Sequence, residues 1–237
     1  MPDTSHSRPT ILLVGASRGL GHAMAAEFLK RGWDVVGTVR ADRGRTPLHA
    51  LAEAYPDRLR IETLDITQPE QIRALAGRLS GRVFDILFVN AGTTNPDPTQ
   101  TIGEVSTDDF VELMITNALS PMRVVETLAG LVPRDGLIGI MSSGQGSIAD
   151  NESGQRELYR GSKAALNQFM RSFAARHAQT PLAMVLIAPG WVRTELGGPD
   201  ARLSIDESVP GVVDVLLAKR GRAGLEYLDY RGRTVRW

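Results

Sequence analysis

Tyr159 and Lys163 stand four positions apart in Tyr159-Arg160-Gly161-Ser162-Lys163. On a helix that spacing projects both side chains from one face about one turn apart, close enough for an ammonium to act on a phenol. The pair suits carbonyl reduction, because a phenol can give a proton to an oxygen or take one back from an alcohol. A free phenol titrates at about pH 10, and bringing it to neutrality takes roughly 4 kcal/mol. One ammonium about 5 Å away, at an effective dielectric of about 20, supplies roughly 3 kcal/mol. Lys163 would thus account for most of the change. The same spacing also arises on any solvated amphipathic helix, so its meaning depends on what surrounds it.

Three other stretches carry chemistry. Gly15-Ala16-Ser17-Arg18-Gly19-Leu20-Gly21 follows the apolar run Ile11-Leu12-Leu13-Val14 and opens a helical pattern. Glycines in a strand-to-helix turn let a pyrophosphate approach backbone amides and the positive end of the helix dipole. Ser142-Ser143 ends another apolar run, and since strand side chains alternate, only one of the two can face a cleft. Pro121 lies four residues after Asn117 inside a helical pattern, so the carbonyl of Asn117 loses its amide donor and becomes able to hold a water. His6, His22, His49 and His177 are scattered without ligand spacing, and no metal or histidine base is assigned. Trp33, Trp191 and Trp237 read as packing residues, with Trp191 placed to line a pocket.

The elements that must position these groups alternate along the chain. Strands are predicted at 11–14, 35–39, 59–64, 83–89, 137–141, 182–188 and 225–228, with helices at 20–31, 47–55, 68–79, 108–131, 158–178 and 205–218. Capping boxes are expected at Thr67 to Glu70 and at Ser204 to Glu207. Short continuous apolar strands separated by helices imply a mostly parallel seven-stranded sheet covered on both faces, a doubly wound α/β Rossmann fold. The segments 93–107, 144–157 and 190–203 are long for connections, and each follows a strand, at the edge where open α/β sheets bind ligands. Lys163 heads a stripe through Leu166, Met170 and Phe173 that spacing assigns to a buried face, and with Phe169 the apolar residues are too many for a fully exposed helix. Residues 1–8 read as a flexible tail and 9–237 as one domain.

Composition limits the alternatives. The 237 residues carry 27 basic and 27 acidic side chains, interspersed, which suggests neither nucleic acid nor an acidic surface as partner. With no cysteine, disulfides, thiolate metal sites and thiol nucleophiles are excluded. No apolar run approaches the ~20 residues of a membrane span, and the polar start reads as cytoplasmic rather than as a signal peptide.

The motifs together resemble the short-chain dehydrogenase/reductase (SDR) family. The glycines are spaced Gly15-x-x-x-Gly19-x-Gly21; Asp65-Ile66, Asn90-Ala91-Gly92, Asn117, Ser143, Tyr159-x-x-x-Lys163 and Pro189-Gly190-Trp191-Val192-Arg193-Thr194 follow in the family's order. The resemblance spans residues 10–194. It implies NADP(H)-dependent interconversion of a carbonyl (ketone or aldehyde) and an alcohol, with Tyr159 as general acid/base. By the same resemblance Lys163 also binds the nicotinamide ribose, and Ser143, matching the family's Ser-x-x-Gly, orients the substrate oxygen. Asn117 would hold a relay water, and the cofactor would be met by Gly15, Ser17, Arg18, Gly19, Leu20, Gly21, Asp65, Ile66, Asn90, Ala91, Gly92, Pro189, Gly190, Val192 and Thr194. Val39 stands where NAD-using relatives carry aspartate, and Arg40 follows it. With Arg18, these guanidinium groups suit a 2′-phosphate, which favours NADPH over NADH, although Asp42 is near. The segments at 142–148, 159–167 and 227–237 look most like the C-factor and sniffer type of carbonyl reductase. Family members are commonly homodimers or homotetramers. The rival expectation is an NADP(H)-binding regulatory or signalling protein with little turnover, against which the retention of both Tyr159 and Lys163 counts.

Overall fold

The computed structural model describes residues 8–41 and 44–237; Asp42 and residues 1–7 of the expected tail lie outside the described residues. The chain runs β1 (Thr10–Val14), α1 (Gly19–Lys30), β2 (Asp34–Val39), α2 (Pro47–Ala54), β3 (Leu59–Thr63), α3 (Pro69–Arg78) and β4 (Ile86–Val89). It continues through α4 (Thr107–Met114), a π-helical turn (Ile115–Leu119), α5 (Ser120–Leu128), β5 (Leu137–Met141), α6 (Glu157–Arg176), β6 (Ala183–Ala188), α7 (Ile205–Lys219) and β7 (Gly224–Asp229). The seven strands form one sheet in the order β3-β2-β1-β4-β5-β6-β7. Every pairing is parallel, β6 with β7 included, so the sheet is wholly rather than mostly parallel.

Parallel strands need crossovers, and the crossover helices bury both faces of the sheet. Alternation within β1 divides its residues between two cores. Leu12 and Val14 join Leu87, Val89, Ile138 and Ile140 under Val125 and Leu128 of α5 and Leu166, Met170 and Phe173 of α6. Ile11 and Leu13 join Val35, Ile86, Phe88 and Val185 under Met24 and Phe28 of α1, Leu48 of α2, and Val212 and Leu216 of α7. The stripe through Leu166, Met170 and Phe173 is therefore internal, while Phe169 is exposed. The strand order reverses between β1 and β4, whose following loops diverge and leave a crevice at their carboxyl ends.

Three local expectations are corrected. The Thr67 to Glu70 box does not form. Gln68 is the N-cap of α3 without a side-chain cap, and the Thr67 amide and hydroxyl both donate to Asp65 Oδ1, at 2.9 and 2.7 Å. A short carboxylate just upstream captured the donors first. The Ser204 to Glu207 box is present. The helix predicted over 108–131 is broken by the π turn around Asn117, immediately before Pro121. Finally, β4 begins only at Ile86; Val83 is exposed, and the Phe84 amide donates to the Leu131 carbonyl instead of entering the sheet.

Candidate active site

At the crevice the glycine turn leaves β1 through Gly15, with φ of 86°, and enters α1 at Gly19, with φ of 55°. A side chain at Gly21 would begin 2.0 Å from the Gly15 carbonyl oxygen and 2.6 Å from Asn90 Nδ2, so the turn closes only around glycine. Asn90 donates to that carbonyl at 2.8 Å, and the Gly15 amide donates to Thr38 Oγ1 at 2.9 Å. Asn90 thus anchors the turn from the end of β4, and Thr38, which no motif singles out, anchors it from β2. The start of α1 has no side-chain cap and no acid in its first turn. Its amide donors and positive dipole end are left for an anion. This uncapped start, in a cradle that side chains would fill, fits a dinucleotide pyrophosphate.

The crevice opens into a cleft of about 1350 Å³, lined by the expected cofactor residues of the turn, by Arg40, Asp65 and Ile66, by Asn90, Ala91 and Gly92, and by Pro189, Gly190, Val192 and Thr194. Gly21 lies inside the turn rather than in the lining. Val39 is buried and Arg40 exposed at the end of β2. Arg18 forms an ion pair with Glu195, a carboxylate that also lines the cleft and that the motif reading passed over because it lies just beyond Thr194. Trp191 does line the cleft, half exposed, with its indole N–H donating to the Gly197 carbonyl at 2.7 Å.

Tyr159 and Lys163 project from the first two turns of α6 and are 7% and 4% exposed. Lys163 Nζ lies 5.9 Å from the centroid of the Tyr159 ring and donates to the Met141 carbonyl at 3.1 Å. Burial raises the phenol pKa above its ordinary value, and the Ser143 side chain and the Arg156 charge only partly oppose it. This is opposite to the direction expected from Lys163 alone. Phenol and ammonium are both nearly buried in the cleft wall, and desolvation pulls Lys163 itself down to about 8.

The two serines separate as alternation requires. Both line the cleft, but the Ser142 hydroxyl is buried and donates to Asn167 Oδ1 at 2.6 Å, whereas Ser143 is partly exposed and its side chain acts on the Tyr159 phenol. The Tyr227 hydroxyl donates to the Ser143 carbonyl from β7 and tightens this corner. Asn117 is fully buried and stays behind the cleft wall. Its Oδ1 accepts from the Thr93 amide at 2.8 Å, and its Nδ2 donates to the Thr93 carbonyl and to Ser162 Oγ at 2.9 and 3.0 Å. Tyr227, Asn167, Ser162 and Arg156 escaped the sequence reading because their contacts are long-range or, for Arg156, depend on an unusual backbone.

Comparison with known proteins agrees with the fold and with a dinucleotide cofactor. A short-chain dehydrogenase/reductase from Burkholderia multivorans, solved with bound NADP, is 99% identical, with a TM-score of 0.97 over 98% of this chain and 100% of that one. A carbonyl reductase from Pseudomonas aeruginosa PAO1 in complex with NADP is 38% identical, with a TM-score of 0.89 over 98% of this chain and 100% of that one. The C-signal protein of Myxococcus xanthus is 33% identical over 168 residues, which are 70% of this chain and 100% of C-signal. The short chain dehydrogenase family profile matches residues 9–202, most of the chain and both ends of the cleft, and the protein belongs to that family.

Proposed function

We propose that the protein is an NADPH-dependent reductase that interconverts a ketone or aldehyde and the corresponding alcohol. The observation that carries this reading is the meeting of Tyr159, Lys163 and Ser143 in one cleft with an uncapped glycine turn and the guanidinium groups of Arg18 and Arg40. The bound dinucleotide supplies the hydride. Ser143 donates a hydrogen bond to the substrate oxygen and orients it against the phenol. Tyr159 gives that oxygen its proton as negative charge develops; a phenol that burial keeps protonated at neutral pH suits the reductive direction. Lys163 stabilises the phenolate left behind and holds the ribose. Asn117, on the π turn, supplies the carbonyl that keeps a water behind Lys163 for reprotonation. Arg18 and Arg40 select the 2′-phosphate.

Among the described residues no helix is long and apolar enough to cross a membrane. A cytoplasmic setting and assembly into dimers or tetramers complete the proposal. The exposed Phe110 on α4 and Phe169 on α6 are apolar surface for a second copy. The alternative, a cofactor-binding signalling protein, draws support from the likeness to C-signal. NADPH oxidation over a panel of ketones, aldehydes and quinones separates the two: turnover that Tyr159→Phe abolishes while NADPH still binds supports the enzyme. Tight NADPH binding without turnover on any member would overturn it.

A further inference from the structure

Arg156 is the only non-glycine with positive φ among the described residues, at 60°. It occupies the N-cap of α6, three residues before Tyr159, and its side chain caps nothing. Left-handed backbone carries a steric cost for a residue with a Cβ, and such positions concentrate at functional sites. Here the guanidinium carbon lies 5.3 Å from the centroid of the Tyr159 ring. Nη2 donates to Thr94 Oγ1 at 3.3 Å, and Nε is buried without a hydrogen-bond partner.

The electrostatics at this point are incomplete. Most arginines of the chain pair with a carboxylate, Arg31 with Asp214, Arg78 with Glu62 and Arg220 with Asp85 among them. Arg156, partly withdrawn from water, has only a neutral hydroxyl and an aromatic face. Glu112 of α4 lines the same cleft, yet among the described residues neither it nor any other carboxylate pairs with Arg156. A partly desolvated cation with donors to spare is satisfied by an arriving anion, and its planar fork matches a carboxylate. Trp191 and Leu196, both well exposed, add apolar lining to the cleft.

We propose that Arg156 anchors the substrate by an acidic group, so that the preferred substrates are oxo acids: carbonyl compounds with an apolar body and a carboxylate a few bonds from the reacting carbon. The proposal rests on the reductase reading, since it places the substrate carbonyl between Ser143 and Tyr159. With the carbonyl there, the guanidinium beside the Tyr159 ring is within reach of a carboxylate on the same small molecule. The left-handed backbone of Arg156 and the place of its guanidinium over the Tyr159 ring occur together at the start of α6.

The test uses matched pairs, benzoylformate and 3-benzoylpropionate against their methyl esters, with wild type, Arg156→Asn and Arg156→Lys. Asparagine tolerates left-handed backbone and is a favoured N-cap, so that variant keeps the fold while removing the cation. Wild type is expected to favour one of the acids over its ester by about tenfold or more in kcat/KM, as for loss of a charge-assisted contact. Arg156→Asn should lower the acid selectively and Arg156→Lys restore part of the difference. Equal losses on acid and ester would mean that the guanidinium serves only Tyr159, and no acid preference in wild type would equally overturn the proposal. Calorimetric binding of benzoylformate and 3-benzoylpropionate to the NADP+-loaded protein keeps the two readings apart. Binding that depends on Arg156 without turnover would sink the reductase and leave the anchor standing, whereas ester turnover without binding of either acid would sink the anchor alone.

Discussion

The Lys163 ammonium is held by one hydrogen bond, to the Met141 carbonyl, and is nearly buried in the cleft wall. Burial takes it from an ordinary 10.5 to about 8. Because the folded value lies below the unfolded one, this group's contribution to stability is fully present above pH 10.5 and is lost as pH falls through about 8. The gap corresponds to about 3 kcal/mol. Lys163→Met removes the dependence, so wild type should gain about 3 kcal/mol on the variant between pH 8 and 10.5, as read from denaturant unfolding across that range. Parallel pH curves would show that the lysine is solvated after all. The same titration sets kinetics: kcat/KM for NADPH should decline as pH rises through about 8, where the free enzyme loses the ammonium. At the other end of the cleft Glu195 competes for Arg18. Glu195→Gln should tighten NADPH binding by a few fold and leave NADH unaffected, measured as dissociation constants at low salt; equal effects on both cofactors would detach Arg18 from the phosphate.

At the scale of elements, the departure from regular helix at Ile115–Leu119 matters most. Pro121 has no amide to give the Asn117 carbonyl, and the chain widens to a π turn in which the Ser120 amide reaches back to the Ile115 carbonyl. π turns inside helices are frequent at functional sites, and here one seats the Asn117 side chain on Thr93 and Ser162. Pro121→Ala should restore α-helical bonding and lower kcat several fold with an altered pH profile, while NADPH affinity holds; rates and profile identical to wild type would remove Asn117 from proton delivery. β7 contributes by a different route. Tyr227, whose phenol burial pushes up to about 12, donates to the Ser143 carbonyl and remains neutral throughout the working range. Tyr227→Phe leaves that carbonyl without its donor, at a cost of about 1–3 kcal/mol. A lowered thermal midpoint together with reduced kcat/KM for the carbonyl substrate is expected, and unchanged values of both would show that the contact is dispensable.

For the whole molecule, the site exists because the strand order turns back between β1 and β4, bringing the glycine turn, Asn90 and the loop before α6 to one edge of the sheet. The sequence by itself determined the alternating elements, since buried parallel strands and amphipathic helices write different periodicities. It also determined the spacing of Tyr159 and Lys163 and the glycine turn, because one turn of helix and a tight strand-to-helix bend are local geometries. The Asx turn at Asp65 and the late start of β4 escaped it, for in each a neighbouring partner took the donors from the regular pattern; the amide missing at Pro121 was legible, but not that the helix would widen to a π turn around it. Only the tertiary structure decided that the Ser142 hydroxyl is taken by Asn167 while the Ser143 side chain acts on Tyr159, that Glu195 meets Arg18, and that Arg156 lies over Tyr159. It also set the direction of the two titrations, because desolvation depends on every residue packed around a group, whereas spacing along a helix reports only the nearest charge.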